Sequence, residues 1–555
     1  MKTWFNWYRP AFLRLRGYTF ADLGPDAGAG IIVGVVALPL CIGLAIACGA
    51  TPQQGLCAGI IGGFLVSLFG GSRYQVGGPA GAFVGLCSAG MAQFGPEGLA
   101  LASLIAGFLI IGLAFARLGN AISFIPVPVV IGFTTGIAVI IASTQIGPAL
   151  GLPPPSRPPE HFHQTLRHII TQLQDAHWIP LLVCAATIVM VIVGRRWSAK
   201  FPAALAALVV VTAASVVFKL DIATVGSSFT AFDGGLPAPH LPGTGIVRDA
   251  LQGDDASIIR LKGIVNLAIA IAILGSIESL LSAVVADGLG NDRHDSNSEL
   301  LGQGLANIAT ALFAGLPCTG VIARTSTTLR AGARSPVAGV IHALVLLASL
   351  LFLAPLVSLI PLAALAGILF TVCWYMAELR HWPHILHGGR SDAFLLPLAF
   401  CLTVFVDLTW AISIGSLLAM LFFVKRISEA TQLAEIPRDE HSVEPPKGCL
   451  VYEIRGPFFF GSATLLRDLE GGEADAKVLI LRLAQVPFID ATAAFSLREL
   501  FSSYAQRGGQ VLTCDLLPKV REDLERFGFA KLMPEGALHD DLGRSLRRAQ
   551  ALILK

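Results

Sequence analysis

The sequence predicts a polytopic α-helical membrane protein that ends in a small α/β domain. Three observations predict it: an apolar composition, apolar runs of span length in two groups, and a change of composition after Arg426. Of 555 residues, 54% are apolar and 14% charged, and mean hydropathy is +0.70, far from soluble averages. Runs such as Ile31 to Ala47, Leu181 to Val193, Ile264 to Ala286 and Val337 to Leu353 approach or reach the roughly 20 residues that cross a bilayer. They recur too often, and begin too far along the chain, for a cleaved leader.

Spans are expected near residues 27 to 48, 54 to 70, 79 to 93, 98 to 117, 124 to 146, 178 to 194 and 202 to 218. A second group is expected near 262 to 287, 297 to 314, 318 to 331, 335 to 354, 357 to 376, 393 to 408 and 410 to 424. That makes about fourteen, in two groups of seven. Pro153, Pro154, Pro155, Pro158 and Pro159 mark a loop, and the Gly-, Pro- and Asp-rich stretch from Asp221 to Asp255 joins the groups. Lys2, Arg9, Arg14 and Arg16 precede the first span, and Lys425 and Arg426 follow the last. The positive-inside tendency therefore places both ends in the cytoplasm.

The resulting division is a cytoplasmic segment 1–26, a transport domain 27–426, a linker 427–444 containing Pro437, and a soluble domain 445–555. In the last of these, Val451 to Ile454, Val478 to Leu483 and Gln510 to Cys514 read as strands, and Ala493 to Ala505 and Pro518 to Phe527 as helices. Strands alternating with helices define an α/β domain. A net charge of +2 makes no case for nucleic acid. Cysteines such as Cys41, Cys48, Cys57, Cys87, Cys318 and Cys401 lie mostly in apolar runs without metal-type spacing and read as small core residues. The membrane part shows no metal cluster, no nucleophile with its base and no phosphate loop, so no enzyme and no cofactor is expected.

The two groups contain an internal repeat. The stretch Gln54 to Gly71 lies over Ser298 to Gly315, with Phe69 on Phe313 and Gly71 on Gly315. Each is a small-residue helix followed by a break at proline, Gly78-Pro79 in one half and Leu316-Pro317 in the other, and then by a short helix. Interrupted spans at matching places in two halves point to a transporter's binding site, because irregular backbone at membrane depth must line protein or a cavity. Two helix N-termini meeting there would present free N–H groups and the positive ends of two dipoles, which favours an anion.

Two charged residues fall inside spans. Glu278 lies in Leu274 to Leu281 with no basic residue within a turn. A carboxylate there costs several kcal/mol unless paired, hydrated or protonated, so Glu278 is assigned the coupling role, binding and releasing a proton. Arg324 lies just beyond the second break; it either faces the anion or pairs with Glu278. Arg330 and Arg334 are expected at the cytoplasmic surface, and Asp287, Asp292, Arg293, His294 and Asp295 form a solvated turn.

Gly78-Pro79-Ala80, Gly275 to Asp287, Asn297 to Leu300 with Gly302-Gln303-Gly304, and Ala323 to Thr325 with Arg330-Ala331-Gly332 together resemble the SulP anion transporters, or sulfate permeases. The resemblance covers nearly the whole chain. Within the family, Gly275 to Leu281 with Asn297 to Gly304 looks most like the bacterial dicarboxylic acid uptake members. It implies two inverted seven-segment repeats, a core domain moving against a gate domain, and a homodimer in the bacterial inner membrane. It also implies an anion site on Gly78, Pro79, Ala80, Gly81 and Phe83 facing Cys318, Thr319, Gly320, Val321 and Arg324. In sodium-coupled bicarbonate members the position of Glu278 is an Asp that helps to hold sodium; the Glu here favours protons. The soluble part resembles the family's STAS domain, and Thr492 stands where related proteins carry a phosphorylated serine, although Asp490-Ala491-Thr492 departs from the Asp-Ser-Ser pattern. Thr492 is alternatively a helix cap. The function expected is proton-coupled uptake of a C4-dicarboxylate such as succinate or fumarate by alternating access. The alternative is transport or exchange of sulfate, bicarbonate or chloride, with a passive channel and a pure sensor as further rivals.

Overall fold

The structure, a computed structural model, describes residues 8–15, 17–120, 126–153, 162–197, 202–229, 235–406, 408–436, 445–466, 469, 476–528 and 536–554. Lys2, Arg16, Pro154, Pro155, Pro158, Pro159, Pro437 and the linker stretch 437–444 lie outside the described residues.

Among the described residues, fourteen helical segments form two inverted repeats. The first holds α1 (Phe20–Ala47), α2 (Pro52–Phe69), α3 and α4, α5 (Val127–Leu150), α6 (Trp178–Trp197) and α7 (Ala203–Val217). Segments α3 (84–94) and α4 (96–115) are one helical stretch broken at Gly95, whose φ of 69° and following Pro96 end the first piece. The second repeat holds α8 (Asp255–Gly290), α9 (Ser296–Leu312), α10 (Ile322–Arg330), α11 (Val337–Phe352), α12 (Leu362–Met376), α13 (Arg390–Phe405) and α14 (Leu408–Ala430).

Two helices begin earlier than the hydropathy places them, because polar caps extend them past the apolar run. At α1, Asp22 accepts hydrogen bonds from the Thr19 N–H and hydroxyl at 3.1 and 2.7 Å. At α8, Asp254 accepts from the Ser257 N–H at 2.9 Å. In α2 a π-helical stretch, Ala58–Gly62, accommodates an extra residue in the turn.

The chain divides into two compact units, 1–416 and 417–555. In the first, α1 to α4 pack with α8 to α11 as a core body, while α5, α6, α7, α12 and α13 pack on one another as a gate body. Gly415 of α14 lies against Val129 of α5. Large apolar side chains such as Phe108, Val189 and Trp374 are 60%, 58% and 70% exposed, as lipid-facing surfaces are.

The second unit is a five-stranded sheet of β3 (Gln432–Glu435), β4 (Cys449–Arg455), β5 (Val478–Gln485), β6 (Gln510–Cys514) and β7 (Leu538–His539), in that order. β3 runs antiparallel to β4, and the others are parallel. Helices α15 (Ala491–Gln506), α16 (Pro518–Arg526) and α17 (Leu542–Ile553) follow the last three parallel strands or precede the chain end. β3 falls inside the stretch read from sequence as linker: its polar residues lie at a sheet edge, where alternation is weak and one side faces solvent.

Candidate functional site

The chain leaves α2 at Gly70-Gly71 and reaches Gly77-Gly78-Pro79 without forming a helix; it leaves α9 and reaches Leu316-Pro317 in the same way. The two breaks meet. Strands β1 (Gly77–Gly78) and β2 (Thr319–Gly320) pair antiparallel, Gly77 with Gly320 and Gly78 with Thr319. The Val321 N–H also donates to the Val76 carbonyl at 3.0 Å. The pairing satisfies backbone groups that a bilayer would leave orphaned. Only glycine fits at two of these positions. Gly78 has φ of 150°, and a Cβ there would lie 2.0 Å from Arg324 Nη1; one on Gly320 would lie 1.7 Å from Gln75 Nε2.

From this strand pair the chain enters α3 through a turn at Gly81–Phe83, with Ala80 as its N-cap, and enters α10 with Val321 as its N-cap. Both caps have extended backbone and no side-chain cap, so the first N–H groups of each helix lack an intrahelical partner. The face at Gly81 looks toward the gate body: a Cβ there would meet Met376 Sδ of α12 at 3.0 Å and Ile141 Cδ1 of α5 at 3.3 Å. Phe83 is buried, with its ring 3.0 Å from where a Cβ of Gly275 would be.

Helix α8 presents one face to the strand pair, at i, i+3, i+4 and i+7: Gly275, Glu278, Ser279 and Ser282. Thr319 Oγ1 donates to the Gly275 carbonyl at 2.9 Å, and Gln75 Nε2 to the Ser279 carbonyl at 2.9 Å. Ser282 bonds Thr325 at 3.2 Å, and Thr325 Oγ1 in turn accepts from the Val76 N–H at 3.2 Å. Glu278 belongs to this face, and its Oε2 is buried without a hydrogen-bond partner.

Arg324 is buried beside the strand pair. It makes no ion pair with Glu278 among the described residues. Its guanidinium donates to the Gly77 carbonyl at 3.2 Å, the Pro79 carbonyl at 3.3 Å and Cys41 Sγ at 3.3 Å, while Nε is left without a partner. Two of the acceptors are carbonyls of the opposite repeat, freed by the break, and no local pattern in the sequence shows them.

Helix α9 holds both breaks. Asn307 accepts from the Cys318 N–H at 3.0 Å and donates to the Cys318 carbonyl at 2.9 Å, and Gln303 also donates to that carbonyl. Cys318 thus has its backbone engaged by α9. Glu299 accepts from the N–H groups of Gly71 and Ser72 at 2.9 and 3.1 Å and from the Ser279 hydroxyl at 2.8 Å. These three α9 residues, with Gln75, Ser279 and Ser282, were not singled out from the sequence as site residues. The available signal was the i, i+4, i+8 spacing of Glu299, Gln303 and Asn307 in an otherwise small and apolar helix.

The charged turn after α8 is tied down by ion pairs. Asp287 pairs with His294 at 2.7 Å, Asp292 pairs with Arg14, and Asp295 caps α9 through the Ser298 N–H at 2.7 Å. In the second unit Thr492 is exposed, and it is not the cap of α15. Asp490 is: it accepts from the Ala493 N–H at 2.8 Å and the Phe460 N–H at 3.0 Å, because it sits at the extended residue before the first turn.

Paired breaks between opposed helix N-termini, at the seam of two helical bodies built from inverted repeats, define a multi-pass carrier for small anions. The family model for the sulfate permease family matches residues 23–399, and that for the STAS domain matches 441–544. The chain belongs to the sulfate permease family and is an anion transporter of that family, with a C-terminal STAS domain. It is 39% identical over 522 residues to YvdB of Bacillus subtilis, a protein assigned provisionally to sulfate transport, covering 93% of this chain and 96% of that one. It is 29% identical over 552 residues to the bicarbonate transporter BicA of Synechocystis, covering 96% and 95%. The solved structure of SLC26A9 superposes with a TM-score of 0.85 over 98% of this chain and 92% of that one; at 18% identity this is a likeness of fold. The transmembrane domain of a cyanobacterial BicA superposes with a TM-score of 0.61 at 28% identity, over 72% of this chain and 98% of that domain.

Proposed function

We propose that this chain carries a small inorganic oxyanion, sulfate or bicarbonate, through the membrane by alternating access, with Glu278 binding the coupling proton. The observation that carries the proposal is the pairing of Gly77-Gly78 with Thr319-Gly320, which brings the N-terminal ends of α3 and α10 to one place beside Glu278. Residues Gly78 to Gly81, Phe83 and Cys318 to Val321 line that place. N–H groups at the starts of α3 and α10 receive the anion, and Arg324 fixes the first break and adds positive charge. The core body then moves past α5 and α12, which adjoin Gly81.

The inorganic anion ranks ahead of a C4-dicarboxylate because relatives covering nearly the whole chain are named for sulfate and bicarbonate. The likeness of Gly275 to Leu281 with Asn297 to Gly304 to dicarboxylic acid uptake members supports the second reading. We further assign the transport domain to 27–426 and the soluble domain to 445–555, with both ends cytoplasmic, a homodimeric assembly, and Thr492, exposed at the start of α15, as a regulatory position.

The test is uptake by purified protein in liposomes, with labelled sulfate, bicarbonate, chloride, succinate and fumarate under imposed pH or sodium gradients. The expected result is saturable sulfate uptake that accumulates under an inward proton gradient and loses accumulation, though not necessarily exchange, in Glu278→Gln. Uphill uptake surviving in Glu278→Gln, or driven by sodium alone, overturns the coupling role. Uptake of succinate and fumarate in preference to inorganic anions returns the dicarboxylate reading, and flux that never saturates indicates a channel.

A further inference from the structure

Away from the strand pair, a cavity of about 340 Å³ opens where the N-terminal segment meets the core body. Arg14, Arg73 and Arg334 line it together with Tyr18, Tyr74 and Asp22. The three arginines arrive from three places in the chain: the turn before α1, the loop between α2 and β1, and the loop between α10 and α11.

Their charges are not equally compensated. Arg14 pairs with Asp292 and donates to the Arg293 carbonyl at 2.7 Å. Arg334 pairs with Asp22 at 3.0 Å. The other nearby carboxylate, Asp26, is wholly buried and already accepts from the N–H groups of Arg334 and Ser335 and from the Ser335 hydroxyl. Arg73 has no carboxylate partner among the described residues, and its Nε is buried without a hydrogen bond. Three guanidinium groups therefore share two carboxylate partners at a cavity wall, and two buried polar groups, Arg73 Nε and the Tyr18 hydroxyl, lack a hydrogen-bond partner. Such a group is costly unless a ligand supplies the missing acceptor.

We propose that this cavity binds a phosphate group, free or carried on a lipid headgroup, with Arg73 as its principal contact. A guanidinium fork matches the paired oxygens of a tetrahedral oxyanion, and a cavity of this size holds more than a bare halide. Two sources supply that chemistry. Phe20, between the lining residues Tyr18 and Asp22 in sequence, is 93% exposed, as a lipid-facing side chain is. Such a ligand would tie the N-terminal segment to the two loops that lead into β1 and out of α10. The cavity lies apart from the strand pair and would bind phosphate whichever anion is carried.

The experiment uses the full chain in nanodiscs and measures thermal stabilisation and calorimetric binding. One arm adds inorganic phosphate to discs of neutral phosphatidylcholine; the other uses discs containing phosphatidic acid without free phosphate. Stabilisation in the first arm identifies free phosphate, and stabilisation confined to the second identifies the lipid headgroup. In either case Arg73→Gln is expected to weaken the effect about tenfold, the size of one charge-assisted hydrogen bond. Arg73→Lys should keep part of it, and Thr319→Val should leave it intact. Labelled-sulfate uptake by Arg73→Gln in phosphate-free buffer should be unchanged. Should Arg73→Gln fail to fold, Arg14→Gln reads the same site. No stabilisation in either arm, an undiminished effect in Arg73→Gln, or loss of binding in Thr319→Val overturns the proposal; the last places the phosphate at the strand pair instead.

Discussion

Helices α2 and α9 occupy equivalent places in the two repeats and use them in opposite ways. When Phe69 is laid on Phe313, Gly55, Gly59 and Gly63 of α2 fall on Glu299, Gln303 and Asn307 of α9. The α9 residues are fully buried and spend their polar atoms on broken backbone. The α2 glycines allow close approach instead. A Cβ on Gly55 would lie 2.2 Å from the Cys41 carbonyl, and one on Gly59 would lie 2.7 Å from Cys41 Sγ. It is Gly78, where a Cβ would lie 2.0 Å from Arg324 Nη1, that makes room for the guanidinium crossing from the other repeat. The second break is held by amides of its own repeat, and the first by a carboxylate and a guanidinium borrowed from its partner. Inverted repeats therefore share a backbone plan while the chemistry that closes each break is lopsided.

The largest expected effect comes from Glu299→Ala, which strips acceptors from two N–H groups and a hydroxyl at once. It should destabilise the protein by about 4 kcal/mol or more and sharply lower the melting temperature of purified full-length protein. Asn307→Leu removes the acceptor of the Cys318 N–H but leaves Gln303 on the carbonyl, so a smaller loss of about 2–3 kcal/mol is expected in the same melt. Gly59→Ala brings a methyl group within 2.7 Å of Cys41 Sγ and 2.8 Å of Leu346 Cδ1, a cost of about 1–2 kcal/mol from overpacking. If Gly59→Ala proved as damaging as Glu299→Ala, the division between packing in one repeat and polar clamping in the other would not hold.

Most of the membrane architecture was legible because hydropathy and the Gly-Pro breaks are local signals. The start of α8 at Asp255 was missed because the capping residue lies outside the apolar run. Both breaks and Glu278 were legible for the same reason: a proline or a carboxyl group inside an apolar stretch stands out. The partners of Arg324 were not, since its carbonyl acceptors lie some 245 positions away along the chain and every residue carries a carbonyl. Strand β3 lies in a polar stretch without clear alternation, and at the start of α15 both Asp490 and Thr492 carry an oxygen of the kind that caps a helix.

The brevity of α3 and α10 has an electrical consequence. The eleven residues 84–94 and the nine of Ile322–Arg330 measure about 16 and about 13 Å at 1.5 Å per residue, each near half of the ~30 Å hydrocarbon thickness. An anion lodged where they begin, as proposed, would have crossed roughly half of the transmembrane voltage. At 100 mV that is about 1 kcal/mol per elementary charge, and twice as much for a dianion, so a cell's resting polarisation would weigh on loading and on release in nearly equal shares.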